Sequence, residues 1–232
     1  MTDLLHTAPL TARFGVVLLA AGEGARMGGM AKCLIRLDGE PLIRRSLRAV
    51  HEAGAAAVVV VTGYYAEAIE AEVRAAAAET AHIVRNPDPA RGQGSSVGIG
   101  LSALCGDDAG GQANDVEAVI IALADQPLVG RAEIIELLEG FRRRPQGTDV
   151  VYPMVRGQRG NPVVLSVALA RQLLASGQAG AVRKFIDAHP AQVHQLLTDA
   201  EAFITDLDTR DDIAAFEART SARIALPGPA AA

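Results

Sequence analysis

The chain has 232 residues, half of them hydrophobic but only 3% aromatic and none Trp, and 22 Lys and Arg against 27 Asp and Glu give a formal net charge of −5. That length suits a single large α/β domain whose core is Ala, Val, Leu and Ile packed helix on sheet, and the acidic balance excludes a general nucleic-acid binder, which needs clustered Lys and Arg. No apolar run approaches a membrane span, residues 1–13 do not read as a secretory signal, and two cysteines, Cys33 and Cys105, suit a reducing cytoplasm and are too few for a disulfide framework or a metal knuckle.

The first predicted element is a strand from Phe14 to Ala21, an apolar and partly β-branched run stopped by Gly22, as expected of a strand buried on both faces of a parallel sheet. It opens into a glycine-rich loop ending at Lys32. Gly22, Gly24, Gly28 and Gly29 let the backbone approach a ligand, and Arg26 and Lys32 supply the cations that phosphates require. The loop is not a P-loop, because Lys32 follows Ala31 and precedes Cys33, leaving no hydroxyl for Mg²⁺. It is not a dinucleotide fingerprint either: the third glycine is one residue late, and Arg44 and Arg45 stand where an acid is required. A phosphate-binding loop remains, beside the plainer alternative of a tight turn with solvated basic residues. Cys33 reads as a small buried hydrophobe.

A helix is expected from Pro41 to about Ala53, with Leu42, Ile43, Leu47 and Val50 inward and Arg44, Arg45 and Arg48 on a solvated face. Strands at Ala57 to Thr62 and His82 to Val84 flank a helix from about Tyr65 to Ala78, the alternation of βαβ units in a mainly parallel sheet. Asn86 to Leu101 is a polar, glycine-rich loop running into a helix. Gly92 and Gly94 permit close approach there, and Ser95 or Ser96 either caps the helix or faces a ligand. Val116 to Ala124, the most apolar strand, delivers Asp125-Gln126-Pro127 at its carboxyl end, where ligands of open α/β sheets bind and a carboxylate can hold Mg²⁺ against phosphate oxygens. Capping of the next helix, from about Ala132 to Arg144, is the structural alternative for Asp125. A strand from Asp149 to Met154 then leads to Gly157-Gln158-Arg159-Gly160-Asn161-Pro162, whose flanks Val150 to Val155 and Val163 to Leu165 suit a hairpin. In Thr205 to Asp212, an extended backbone points Asp206 and Asp208 to one side. Asp208 or Thr209 with Asp211 or Asp212 also makes a cap for the last helix. One domain is expected over residues 14–221, with 1–13 and 222–232 as loose tails.

Leu19-Ala20-Ala21-Gly22, Gly24, Arg26-Met27-Gly28 and Lys32 together resemble the signature loop of the MobA-like nucleotidyltransferases, particularly the molybdenum cofactor cytidylyltransferases. Later segments resemble the family's in the same order: Asn86 with Gly92-Gln93-Gly94-Ser95-Ser96, then Asp125-Gln126-Pro127, Gly157 to Pro162 and Asp206 to Asp208. The resemblance runs from Val16 to about Phe216 and implies a Rossmann-like three-layer α/β/α nucleotidyltransferase fold with a mostly parallel central sheet. It implies backbone contacts to the nucleotide from Leu19, Ala20, Ala21, Gly22 and Gly24, and triphosphate binding by Arg26 and Lys32. By the same resemblance Gly94, Ser95 and Ser96 face base and ribose, Asp125 and Asp208 hold Mg²⁺, and Arg159 and Asn161 meet the acceptor. One turn departs from the family's Gly-Asp-x-Gly-Ala-Arg: Gln178 replaces the acid and Val182 the Arg, with Arg183 one residue later.

The implied reaction is Mg²⁺-dependent nucleotidyl transfer from a nucleoside triphosphate to a phosphorylated small-molecule acceptor, with Arg26, Lys32 and Asp125 as catalytic residues and pyrophosphate as the product. A phosphomonoester, with a second pKa of about 6, is ionised at neutral pH and needs no protein base. Accordingly none of His6, His51, His82, His189 and His194 lies in a motif. Ala20-Ala21-Gly22, where guanylyl-transferring relatives tend to have Ala-Gly-Gly, favours CTP and hence molybdopterin as acceptor, with a molybdoenzyme or its chaperone as partner. The alternatives are a nucleotidyltransferase for a sugar phosphate or methylerythritol phosphate, and a non-catalytic nucleotide-sensing module.

Overall fold

The computed structural model describes residues 13–76, 81–106 and 116–228. Its first strand, β1 (Phe14–Ala20), is buried at every position, as an unbroken apolar run requires when helices cover both faces of a sheet. Beyond the glycine-rich loop come strands β2 (Arg36–Leu37) and β3 (Glu40–Pro41), helix α1 (Leu42–Glu52), strand β4 (Ala57–Thr62), helix α2 (Ala66–Ala76) and strand β5 (Ala81–Arg85). Helix α3 (Gln93–Cys105), strand β6 (Ala118–Leu123) and helix α4 (Arg131–Arg142) follow. The rest comprises β7 (Val150–Val155), β8 (Gln158–Arg159), β9 (Val163–Ser166), α5 (Val167–Ala175), α6 (Val182–Ala188), β10 (Val193–Leu197), α7 (Arg210–Thr220) and β11 (Ile224–Ala225). The expected end of α2 near Ala78 lies outside the described residues.

The main sheet has the order β10-β7-β9-β6-β1-β4-β5, with β8 added on β7. Pairing is parallel for β1 with β4 and β6, for β4 with β5 and for β7 with β10. Strand β9 runs antiparallel between β6 and β7, because the short turn after β7 cannot make the long crossover that a parallel neighbour needs. The order reverses at β1: the chain steps outward to β4 and β5, then returns to β6 on the other side. In open α/β sheets the ligand crevice lies outside the carboxyl ends of the strands at such a point.

Alternate side chains of β1 enter two cores. Val16, Leu18 and Ala20 pack with Leu47 of α1, Ile69 of α2 and Phe141 of α4; Val17 and Leu19 pack with Leu101 of α3, Leu169 of α5 and Ile186 of α6. The result is one three-layer α/β/α domain, and each fully buried Val or Leu contributes about 1.5–3 kcal/mol relative to exposure. A third, smaller cluster of Met27, Ile35, Leu37, Leu42, Leu207 and Phe216 lies beside an antiparallel sheet of order β11-β2-β3.

Residues 222–225, expected as the start of a tail, are instead tied into that small sheet. Ile224 pairs with Leu37, and the Arg223 and Ile224 N–H groups donate to Asp38 Oδ1 and Glu217 Oε1, each at 2.9 Å. Too short to announce a strand, this segment finds its partners only in the folded chain. Residues 1–12 and 229–232, also expected as tails, lie outside the described residues. Among the described residues no helix is long and apolar enough to cross a membrane.

Candidate active site

The loop after β1 is shaped by its own glycines. Gly24 and Gly28 hold left-handed backbone at either end of a tight turn over Ala25–Met27, and a Cβ on Gly24 would stand 2.0 Å from the Met30 carbonyl oxygen. Met27 inserts into the third core cluster, which anchors the loop, while its neighbour Arg26 remains largely exposed. From the turn after β4, the Tyr65 hydroxyl donates to the Glu23 carbonyl at 2.9 Å.

Lys32 is the centre of the charge arrangement. Its Nζ stands 2.5 Å from Asp125 Oδ2 and 2.6 Å from Asp208 Oδ1, with all three side chains largely buried; Arg26 meets the other oxygen of Asp208 at 2.5 Å. Burial works against the charge on Lys32, yet the two aspartates outweigh it and hold the ammonium's pKa above its ordinary value. Burial would likewise raise Asp208, and Lys32 with Arg26 reverses the sign, keeping its carboxyl below the usual range.

Neither aspartate serves as a helix cap. Helix α7 is capped by Thr209, whose Oγ1 accepts from the Asp212 N–H at 3.1 Å while Asp212 Oδ2 accepts from the Thr209 N–H at 2.7 Å. Helix α4 starts at Gly130, whose N–H donates to Glu133 Oε2 at 2.9 Å. Both carboxylates are thereby left to the site.

A third carboxylate, Asp206, joins them and was not singled out as a site residue from sequence, although the Asp-x-Asp alternation was its signal. Burial, reinforced by the charges of Asp125 and Asp208, pushes it up to about 6, and its Oδ1 is buried without a hydrogen-bond partner. Gln126, also unassigned, is 3% exposed and donates to the Phe203 carbonyl at 3.3 Å, tying the Asp125 turn to the segment that carries Asp206 and Asp208.

These groups face a cavity of about 450 Å³. Leu19, Ala21 and Gly22 form its middle, Glu23, Arg26, Lys32, Asp125, Asp206 and Asp208 supply its charges, and Tyr64, Pro89, Ala90, Gly92, Gln93 and Ser96 form an uncharged wall. Because β4 and β6 flank β1 on opposite sides, the uncharged wall lies toward β4 and β5 and Asp125 toward β6. Ala20 lines a recess with Lys32, Cys33 and Asp125.

Of the remaining expected contacts, Ser96 lines the cavity, and Gly94 and Ser95 lie beside it on the same turn of α3. Helix α3 begins at Gln93 with Gly92 as its N-cap, so the capping expected of Ser95 or Ser96 is not what they do. Asn86 Nδ2 donates to Ser95 Oγ at 2.8 Å and to Ser96 Oγ at 2.9 Å, pinning the first turn of α3, and Gly94 packs against Gly180.

A second cavity, of about 210 Å³, shares Leu19, Gln93 and Leu123 with the first. Val97, Ile121, Val163, Val182 and Ile186 make it apolar, and Arg159, Asn161 and Arg183 supply its polar groups. Arg159 is held by Asp187 Oδ1 at 3.1 Å and lies over the Tyr152 ring. At the turn that departs from the family pattern, Val182 contributes to the apolar lining and Arg183, one residue later, lines the same cavity.

The donor set fits Mg²⁺. Asp125 and Asp208 present hard oxygens on either side of the Lys32 ammonium, and Mg²⁺ characteristically takes one or two carboxylates and completes its shell with phosphate oxygens and water.

An open α/β sheet with a cationic glycine loop at its switch strand, faced by one aspartate beyond the end of β6 and another on the segment that leads into α7, defines the nucleotidyltransferase class. Residues 16–193 match the MobA-like NTP transferase domain, and the chain belongs to that family. It is 32% identical over 199 residues to nicotine blue oxidoreductase of Paenarthrobacter nicotinovorans, covering 83% of this chain and 91% of that protein. It is also 32% identical over 187 residues to bifunctional protein GlmU of Rhizorhabdus wittichii, covering 80% of this chain and 37% of that longer protein. Among solved structures, Rv0371c of Mycobacterium tuberculosis gives a TM-score of 0.69 at 23% identity, covering 88% of this chain and 97% of that one. A nucleotidyl transferase from Methanothermobacter thermautotroptrophicus gives 0.66 at 22% identity, covering 89% and 97%. These structures share the fold.

Proposed function

We propose that the protein transfers a nucleotidyl group from CTP to a phosphate-bearing acceptor of the molybdopterin type, releasing pyrophosphate in an Mg²⁺-dependent reaction. The observation that carries this reading is Lys32 held between Asp125 and Asp208, with Arg26 on the far oxygen of Asp208, inside a cavity bordered by a glycine-rich loop. Asp125 and Asp208 would hold Mg²⁺, which would supply charge neutralisation at the phosphates. Lys32 fills the gap between the carboxylates in the free protein; with nucleotide bound, Lys32 and Arg26 are the cations available to the departing pyrophosphate. The buried Gln126 ties the Asp125 turn to the segment that carries Asp206 and Asp208.

No histidine lines either cavity among the described residues, which agrees with an acceptor phosphate that is already ionised at neutral pH. The apolar lining of the second cavity, with Arg159 and Arg183 on it, supports a ring-bearing anionic acceptor over a sugar phosphate or methylerythritol phosphate, whose hydroxyls would find few partners there. CTP is favoured by Ala20-Ala21-Gly22. A cytoplasmic setting and delivery of the product to a molybdoenzyme or its chaperone belong to the same reading.

A second reading is favoured by one observation, the near full-length similarity to a protein named nicotine blue oxidoreductase: redox chemistry on a flat heterocycle in the apolar cavity. The test is a panel of the four nucleoside triphosphates with molybdopterin, with and without Mg²⁺, read as pyrophosphate release. CTP with acceptor and metal is expected to give product. A preference for GTP removes the cytidine assignment, and absence of pyrophosphate from every combination removes the transferase reading.

A further inference from the structure

The chain is poor in aromatics, and Tyr64 is one of only three large hydrophobic residues exposed among those described, with 43% of its surface open. Among the described residues it is also the only aromatic one lining the larger cavity. Its backbone is rigidly placed. On one side Gly63 sits so close to the glycine loop that a Cβ there would stand 2.7 Å from the Ala21 carbonyl oxygen; on the other, the Tyr65 hydroxyl donates to the Glu23 carbonyl at 2.9 Å. The turn is thus fastened twice to the loop while the Tyr64 ring is left open to solvent.

The cavity's polarity fixes which part of a ligand reaches that ring. Arg26, Lys32 and the three aspartates draw the triphosphate and its metal toward β6, so the nucleoside extends toward β4 and β5. On that side Pro89, Ala90 and Gly92 carry neither charge nor bulk, and the cavity's one carboxylate near the Tyr64–Tyr65 turn is that of the exposed Glu23. An exposed aromatic face beside an uncharged space is a stacking platform, and every nucleobase offers a π-face to it.

We infer that Tyr64 stacks on the base of the bound nucleoside triphosphate and supplies affinity for the nucleoside that the phosphate-binding groups do not. This rests on the nucleotide reading above. Stacking is indifferent to the hydrogen-bonding edge, so Tyr64 serves tightness of binding, and choice among bases is left to the backbone of the glycine loop.

The test measures equilibrium binding, by calorimetry in the presence of Mg²⁺, of the four nucleoside triphosphates and of inorganic tripolyphosphate to the unaltered chain, Tyr64→Ala and Tyr64→Phe. Tyr64→Ala is expected to weaken the preferred nucleoside triphosphate by roughly tenfold or more and leave tripolyphosphate unchanged, with Tyr64→Phe close to the unaltered protein. Nucleotide binding unaffected in Tyr64→Ala overturns the inference, and so does an equal loss for nucleotide and tripolyphosphate, which marks a structural role. Failure of the unaltered chain to bind any nucleoside triphosphate more tightly than tripolyphosphate overturns the nucleotide reading itself, and the inference with it.

Discussion

Gly94 and Gly180 meet backbone to backbone: a Cβ on Gly94 would lie 2.5 Å from the Gly180 carbonyl oxygen, and one on Gly180 would lie 2.6 Å from that of Gly94. The contact joins the first turn of α3, which carries Gln93 and Ser96 into the larger cavity, to the turn before α6, which carries Val182 and Arg183 into the second. The two cavities therefore share a wall that cannot thicken.

Gly180→Ala is expected to push α3 and α6 apart, costing about 1–3 kcal/mol of stability, as overpacking does, and raising KM for nucleotide and acceptor together. Denaturant unfolding and steady-state kinetics with each substrate varied in turn check this. A rise confined to one substrate would show that the cavities respond independently.

Asp125→Ala leaves Lys32 paired with Asp208, so the fold is expected to survive with its circular dichroism unchanged. Pyrophosphate release should fall by about 100-fold or more, the scale of losing one transition-state electrostatic contact. Normal turnover in this variant would disprove the metal assignment.

Lys32→Met removes the ammonium from between Asp125 and Asp208 and leaves two carboxylates facing a gap, which favours a divalent cation in its place. Mn²⁺ affinity in the absence of nucleotide is expected to rise by about tenfold while turnover falls. Electron paramagnetic titration of free Mn²⁺ reads the first effect, and weaker Mn²⁺ binding would contradict it.

Asp206 titrates at about 6 in the folded chain, above its ordinary 3.8. An aspartate raised by folding stabilises the native state while protonated; that contribution is complete below the unfolded value and is lost as pH rises through the folded one. Asp206→Asn is therefore expected to raise the Tm of the ligand-free protein at about pH 8 by more than at about pH 5. Equal gains in calorimetric scans at both pH values would refute the assignment.

How much was readable in the sequence depended on how local the signal was. Strand β1 and its loop, and β6 ending in Asp125, are contiguous apolar runs closed by Gly or Asp, and each announces itself within ten residues or so. The choice between Asp208 and Thr209 as the cap of α7 was open because both satisfy the same local spacing, and only the path of the chain decides for Thr209. Gln126, Asp206 and Gly180 owe their importance to partners on distant segments, and β11 to a strand it meets only after folding. The glycine loop makes Lys32 a candidate phosphate ligand, but its bridging of Asp125 and Asp208 joins residues up to 176 positions apart, beyond any periodicity.

That separation has a temporal side. At a synthesis rate of roughly 5–20 residues per second, the 176 positions between Lys32 and Asp208 correspond to a delay of roughly 10–35 s on the ribosome. Throughout that interval the glycine loop exists without the carboxylate that opposes it, and β2 waits for β11. The chain completes its charged centre only after nearly all of the α/β layers have been made.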